Sequence, residues 1–235
     1  MSQIETNWSF VSDSELTPVG FSFAGISAGL KDSRKKDLAL ILAPVNSICS
    51  GLFTQSSVRA ACVDICEKRI KQSSGLIRAI LINSGQANAC TGDFGIQHTL
   101  IATKKISQLL GIKEEEVLMC STGVIGVPLR IQDLVNNLPD LVKELKTNNF
   151  NNAAEAILTT DLVEKKITIE TFIENRKVTI SGFAKGSGMI YPNMATMLAF
   201  LTCDVGVEKE DWDQMISIAV NKSFNAISVD GETST

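Results

Sequence analysis

The stretch Lys185-Gly-Ser-Gly-Met-Ile-Tyr-Pro-Asn-Met-Ala-Thr-Met-Leu-Ala-Phe-Leu-Thr-Cys-Asp204 constrains this chain more than any other. A glycine-rich turn runs into a Pro192-Asn193 kink, a small residue and then Thr196. An apolar run from Met197 to Leu201 follows and closes at Cys203-Asp204. The run predicts a buried strand over Thr196–Cys203, with a hydroxyl at its first position. We read Ala195–Thr196 as a bond the protein cuts in itself, leaving Thr196 as a new N-terminus. The local pattern also fits an ordinary β-branched residue in a strand.

Chemistry elsewhere in the chain sharpens the choice. There is one histidine, His98. A Ser-His-Asp or Cys-His arrangement would have to use it, and it reads as a packing or surface residue. A threonine hydroxyl is a poor nucleophile without a base. A free α-amino group has an unperturbed pKa of about 7.7–8.0, close to the operating pH that suits a general base. An N-terminal threonine therefore carries nucleophile and base on one residue.

Composition removes other classes. The net charge is −4 with no basic block, so nucleic acid is not an expected partner. The longest apolar runs, such as Leu38–Val45, are too short for a bilayer. The N-terminus lacks a basic n-region and an apolar h-region, so no secretory signal is expected. The six cysteines (Cys49, Cys62, Cys66, Cys90, Cys120, Cys203) sit mostly among apolar residues, as thiols do in a reducing compartment. The cytoplasm is the expected location. Cys62 and Cys66 share a helix face, but no second pair or histidine cluster completes a metal site. No metal is expected. No GxGxxG or P-loop pattern occurs.

The order of elements predicts an α+β fold, with mixed and antiparallel sheets packed with helices. Residues 1–36 read as irregular chain with one short strand. Strands follow at Asp37–Ala43, Ile48–Thr54 and Leu76–Ile82. A helix is expected from Thr54 to about Gln72 and another over Gly95–Leu110. Asn83–Gly95 reads as a loop of small and amide residues, a common carrier of function and equally an ordinary turn. Val117–Ser121 reads as a strand running into Thr122-Gly123. Backbone N–H groups at a strand end can face an anion, so Thr122-Gly123 is an oxyanion-hole candidate. Helices over Ile131–Leu145 and Asn151–Leu158 come next. Lys166–Phe172 and Lys177–Ser181 predict a hairpin, Glu208–Ser223 an amphipathic helix, and Phe224–Thr235 a strand leading into a loop.

Together these motifs resemble the ornithine acetyltransferase family, also called glutamate N-acetyltransferase, of arginine biosynthesis. The resemblance covers nearly the whole chain. It rests on Gly25-Ile-Ser-Ala-Gly-Leu-Lys31, Asn83-Ser-Gly-Gln-Ala-Asn-Ala-Cys-Thr-Gly92, Ser121-Thr-Gly-Val-Ile-Gly126, Thr159-Thr-Asp161, Lys185-Gly-Ser-Gly-Met189, Pro192–Phe200 and Val229-Asp-Gly-Glu-Thr-Ser-Thr235. It implies a self-processing N-terminal-nucleophile architecture in one structural domain. Cleavage between Ala195 and Thr196 would give an α chain of residues 1–195 and a β chain from 196 onward. Thr196 would be the nucleophile of cleavage and of catalysis, taking acetyl from N2-acetylornithine and passing it to glutamate. Thr122 and Gly123 match the oxyanion hole. Lys185 matches a substrate-binding lysine and Thr159 a substrate contact, with Thr160 beside it as the alternative. No cofactor is implied, and acetyl-CoA is an open choice of further donor. An assembly of two α and two β chains is implied for the full-length parent.

The family's β chain runs on past Val229–Thr235, so this chain is expected to be cut short at residue 235. The later glutamate, asparagine and hydroxyl contacts of the family then lack counterparts. Two other functions stay open: a related self-processing aminopeptidase or amidase, in which water accepts the acyl group, and an inactive truncated remnant.

Overall fold

The computed structural model describes residues 8–11, 17–194 and 196–233. Among them the strands are β1 (Ser9–Phe10), β2 (Ser22–Ile26), β3 (Leu38–Leu42), β4 (Ala79–Gln86), β5 (Val117–Val124), β6 (Lys165–Ile173), β7 (Arg176–Lys185) and β8 (Leu198–Cys203). The helices are α1 (Ala61–Gln72), α2 (Gly92–Leu110), α3 (Ile131–Lys143), α4 (Phe150–Ala156) and α5 (Lys209–Lys222). The strands form two four-stranded sheets, ordered β2-β3-β4-β5 and β1-β6-β7-β8. Only the β4–β5 pair is parallel among the described strands. This is the α+β arrangement expected from the sequence.

The first sheet is buried on both faces, which is why β3 reads as an unbroken apolar run, Leu-Ala-Leu-Ile-Leu. Leu38 and Leu40 pack with Ala102 and Ile106 of α2 and with Leu134, Leu138 and Leu141 of α3. The spacing of the α3 leucines puts them on one stripe. Ala39 and Ile41 point the other way, toward α4 and the second sheet. Rings join the layers there. Phe150 of α4 meets Phe23 of β2 at 5.2 Å and Phe183 of β7 at 5.3 Å, both edge-to-face, and Phe183 meets Phe200 of β8 at 5.4 Å. The β6–β7 hairpin closes through Glu174 and Asn175, both left-handed (φ 49° and 61°), as a two-residue hairpin loop requires.

Several boundaries differ from the expectation. Strand β4 runs on through Asn83-Ser-Gly-Gln86, and β5 through Thr122-Gly123-Val124. These polar residues are tolerated because partners meet them: Ser84 Oγ donates to the Ala156 carbonyl at 2.5 Å and Asn83 Nδ2 to the Gln86 carbonyl at 3.0 Å. Ile48–Thr54 is not a strand; Ile48 makes a single bridge to Leu76. The short strand expected within residues 1–36 is there as β2, which pairs with β3. Helix α1 begins at Ala61, not near Thr54, and β7 continues to Lys185. Among the described residues 224–233 no strand forms: residues 224–226 make a 3₁₀ turn, and Val229 and Asp230 bridge to Ile190; the last two residues of the expected loop lie outside the described residues. The strand expected over Thr196–Cys203 starts at Leu198, opposite Lys185. Thr196 therefore stands before the strand, in the turn that enters it.

Candidate active site

The site lies where β4, β5, β7 and the entry to β8 converge. In the parallel ladder Gly85 stands beside Gly123. Both are left-handed, at φ 128° and 133°. A Cβ on Gly123 would lie 2.3 Å from the carbonyl carbon of Gly85, and one on Gly85 would lie 2.7 Å from the Leu30 oxygen. The backbones touch where side chains would otherwise stand, so only glycine fits at either position.

Lys185, the last residue of β7, crosses from the second sheet to the first. Its Nζ donates to Thr122 Oγ1 at 3.1 Å. The residue is 4% exposed. Burial holds its ammonium below the ordinary lysine value, while the Asp161 carboxylate pulls the other way. Because Thr122 Oγ1 accepts from Lys185, its own O–H is directed elsewhere.

The loop after α4 brings in Thr159, Thr160 and Asp161. Asp161 has a fully covered side chain. Its Oδ1 accepts the Gly186 N–H at 2.8 Å and the Lys165 ammonium at 2.5 Å, and its Oδ2 takes the Thr159 N–H at 3.4 Å. Burial raises its pKa, but those donors and the Lys165 and Lys185 charges outweigh it and hold the carboxyl low. Thr160 and Ser187 share a hydroxyl hydrogen bond of 2.6 Å, whereas Thr159 is held through its backbone. Lys31, at the end of the Gly25–Lys31 motif, caps the same loop: its Nζ donates to the Leu158 and Lys36 carbonyls at 2.6 and 2.9 Å. The sequence placed Asp161 and Lys31 at the ends of two motifs but gave neither a role in the site. The signal was a charged residue closing a run of small ones.

Thr196 lies against Gly186; its carbonyl oxygen is 3.7 Å from where a Gly186 Cβ would be. Its φ is 66°, an uncommon region for any L-residue and an outlier for a β-branched one. Ala195 lies outside the described residues. Thr122, Gly123, Thr159, Thr160, Lys185 and Thr196 all line one cavity of about 950 Å³. Away from them its walls are mostly apolar, with Phe21, Ile41, Leu118, Trp212 and Ile216, though Lys31, Arg78 and Asp204 also line it. The candidate residues thus come together from four separate segments: β5, the loop after α4, the end of β7 and the turn into β8. His98 is on α2 and is not part of this lining. Among the described residues no cluster of three His, Cys, Asp or Glu could hold a metal ion, and no helix is long and apolar enough to cross a membrane.

The model of the ArgJ family matches residues 22–235. The chain belongs to the ArgJ family. An "arginine biosynthesis bifunctional protein ArgJ" from Prochlorococcus marinus subsp. pastoris is 84% identical over 225 residues, 96% of this chain and 56% of the relative. One from Synechocystis sp. is 48% identical over 97% of this chain and 55% of its own length. The chain thus spans about half the length of the curated relatives it matches. Two crystal structures are similar over most of the chain. The bifunctional protein ArgJ of Bacillus halodurans has a TM-score of 0.75 and 34% identity. The ornithine acetyltransferase of Mycobacterium tuberculosis, complexed with ornithine, has a TM-score of 0.72 and 31% identity. Each is covered completely by 83% of this chain. An aminopeptidase from Ochrobactrum anthropi, a variant of the Ntn-hydrolase fold, shares the fold at TM-score 0.51 and 8% identity.

Proposed function

We propose that this chain carries the nucleophile, oxyanion hole and carboxylate-binding lysine of an acetyltransferase that moves acetyl from N2-acetylornithine to glutamate. The observation that carries the reading is Thr196, strained at φ 66° in the turn into β8 and lining the same cavity as the Lys185–Thr122 pair.

Thr196 acts first on its own chain. Its Oγ attacks the carbonyl carbon of residue 195, the C–N bond breaks, and the hydroxyl proton passes to the leaving nitrogen. Water then hydrolyses the ester, leaving residues 1–195 and 196 onward as two pieces of one structural domain. The cut releases the φ restraint on Thr196, which removes strain of about 1–3 kcal/mol.

The freed α-amine then serves as base. It takes the Thr196 hydroxyl proton as Oγ attacks the acetyl carbonyl. The Gly123 N–H and the Thr122 O–H donate to the oxyanion, the latter turned into the cleft by Lys185. Collapse expels ornithine, which takes the proton, and leaves acetyl on Thr196. Glutamate reverses these steps, and acetyl-CoA can supply the acetyl group through the same ester. The Lys185 ammonium receives the amino acid's α-carboxylate, a requirement a general amidase would not share. Thr159 contacts substrate, since Thr160 is bound to Ser187. Two copies of each piece form the full-length assembly.

The test is intact mass of the wild-type chain beside Thr196→Ala, followed by acetyl transfer from N2-acetylornithine to glutamate. Splitting before Thr196 in the wild type alone, with a mass gain of one acetyl group on the second piece, is expected. Splitting in Thr196→Ala would refute the assignment.

A further inference from the structure

Resting on that reading of Thr196, we propose that Asn225 is a positioning residue for the cut: its side-chain carbonyl fixes the Asn193–Met194 turn that leads into the cleaved bond.

Asn225 Oδ1 accepts two successive backbone N–H groups, from Asn193 at 3.2 Å and from Met194 at 3.1 Å. Two neighbouring amides converge on one oxygen because both residues are left-handed, at φ 73° and 57°. Met194 has no local side-chain bond to favour that conformation, so surrounding structure must impose it. With Thr196 at φ 66°, left-handed residues flank residue 195 on both sides. The Asn225 amide is itself oriented. Its Nδ2 donates to Asn221 Oδ1 at 2.8 Å, which points the carbonyl end at the turn. Asn221 is in the last turn of α5, and Asn225 is in the 3₁₀ turn that follows.

The same segment grips the loop again upstream. Ile190 and Val229 exchange backbone hydrogen bonds of 3.2 and 2.8 Å, and the Met189 N–H donates to Asp230 Oδ2 at 2.8 Å. All these anchors follow Thr196 in sequence. The part of the chain that becomes the second piece therefore holds the end of the first, before and after the cut. Anchoring at 189–190 fixes where the loop runs. Asn225 alone among these contacts holds Asn193 and Met194, the two residues that precede residue 195.

Three variants test this. Asn225→Leu removes the acceptor at similar volume. Asn225→Asp keeps an oxygen acceptor, and the exposed Asn221 amide can turn its NH₂ toward it. Thr196→Ala blocks the cut. Intact mass against time gives the cleavage rate, and urea midpoints show whether the fold is kept. Loss of two hydrogen bonds to one oxygen predicts cleavage slowed on the order of tenfold or more in Asn225→Leu, with Asn225→Asp close to wild type. In the Thr196→Ala background, amide exchange at Asn193 and Met194 should accelerate on adding Asn225→Leu and stay slow on adding Asn225→Asp. Wild-type cleavage by Asn225→Leu, or unchanged exchange at both amides, overturns the role of Asn225 while leaving Thr196 as nucleophile. A wild type that stays whole, or a Thr196→Ala chain that is cut, removes the nucleophile assignment and this proposal with it.

Discussion

Gly123→Ala tests the backbone contact on which the proposed oxyanion hole depends. The added Cβ would lie 2.3 Å from the Gly85 carbonyl carbon and 2.7 Å from the Gln86 nitrogen. Both are backbone atoms inside a parallel ladder and cannot swing aside as a side-chain tip would. Restoring ordinary contact needs a shift of about 1 Å between β4 and β5. The left-handed backbone adds about 1–3 kcal/mol and the overlap about 1–3 kcal/mol. A loss near 4 kcal/mol follows, or roughly 8–16 °C in Tm for a chain of this size. Gly111→Ala is the control. Gly111 is also left-handed, at φ 65°, but a Cβ there meets nothing within 4 Å. It should cost only about 1 kcal/mol. Urea unfolding of the two variants isolates the steric share. A 1 Å displacement of the Gly123 N–H should also slow Thr196 chemistry by about 10²-fold. Equal stability losses in the two variants would refute the close approach.

Asp161→Asn should flatten part of the acid limb of the stability curve. The folded carboxyl sits below its ordinary value, so it contributes stability above the unfolded pKa of about 3.9, and that contribution is lost as pH falls through the folded value. Urea midpoints from pH 7 to 3 should fall less steeply in the variant, and parallel curves would show that Asp161 is not held low. Thiol titration with a disulfide reagent at pH 8 should show one fast phase from exposed Cys90, removed by Cys90→Ser. Cys62 is buried and its thiol is pushed up to about 12, so it should react only on unfolding; a second fast phase assigned to Cys62 would contradict its burial.

The parts of this fold with a strong period were legible in the sequence. Leu38–Leu42 and the α3 leucines announce themselves through spacing alone. The polar half of β4 did not. Ser84 and Gln86 look like loop residues because the partners of their side chains, Ala156 and Leu30, lie far away in sequence. The strand expected to open at Thr196 starts two residues later. An apolar run marks where a strand is buried, not where its hydrogen bonds begin, and those start at Leu198. The Gly85–Gly123 contact was illegible for the same reason. Each glycine reads locally as a turn, and only the ladder register brings them together. The Asp161 anchor and the Lys31 cap likewise act through backbone groups, which carry no residue-type signature.

Lys185 separates function from stability most cleanly. It is almost fully buried, its charge is disfavoured by burial, and its hydrogen bond is to a neutral hydroxyl. A buried ammonium so placed costs stability unless compensated. Lys185→Met keeps the length of the side chain and removes the charge. Asp161 keeps Lys165 and the Gly186 N–H as partners, so no carboxylate is orphaned. Stability should then change by less than about 1 kcal/mol, or rise. Self-cleavage and acetyl transfer should both fall, because the Thr122 hydroxyl loses the donor that turns it toward the oxyanion. Transfer should fall further, because the substrate carboxylate loses its cation as well. Urea midpoints, cleavage rate by intact mass and transfer rate together read all three. A marked loss of stability with cleavage and transfer intact would make Lys185 a strut between the two sheets and would remove it from the site.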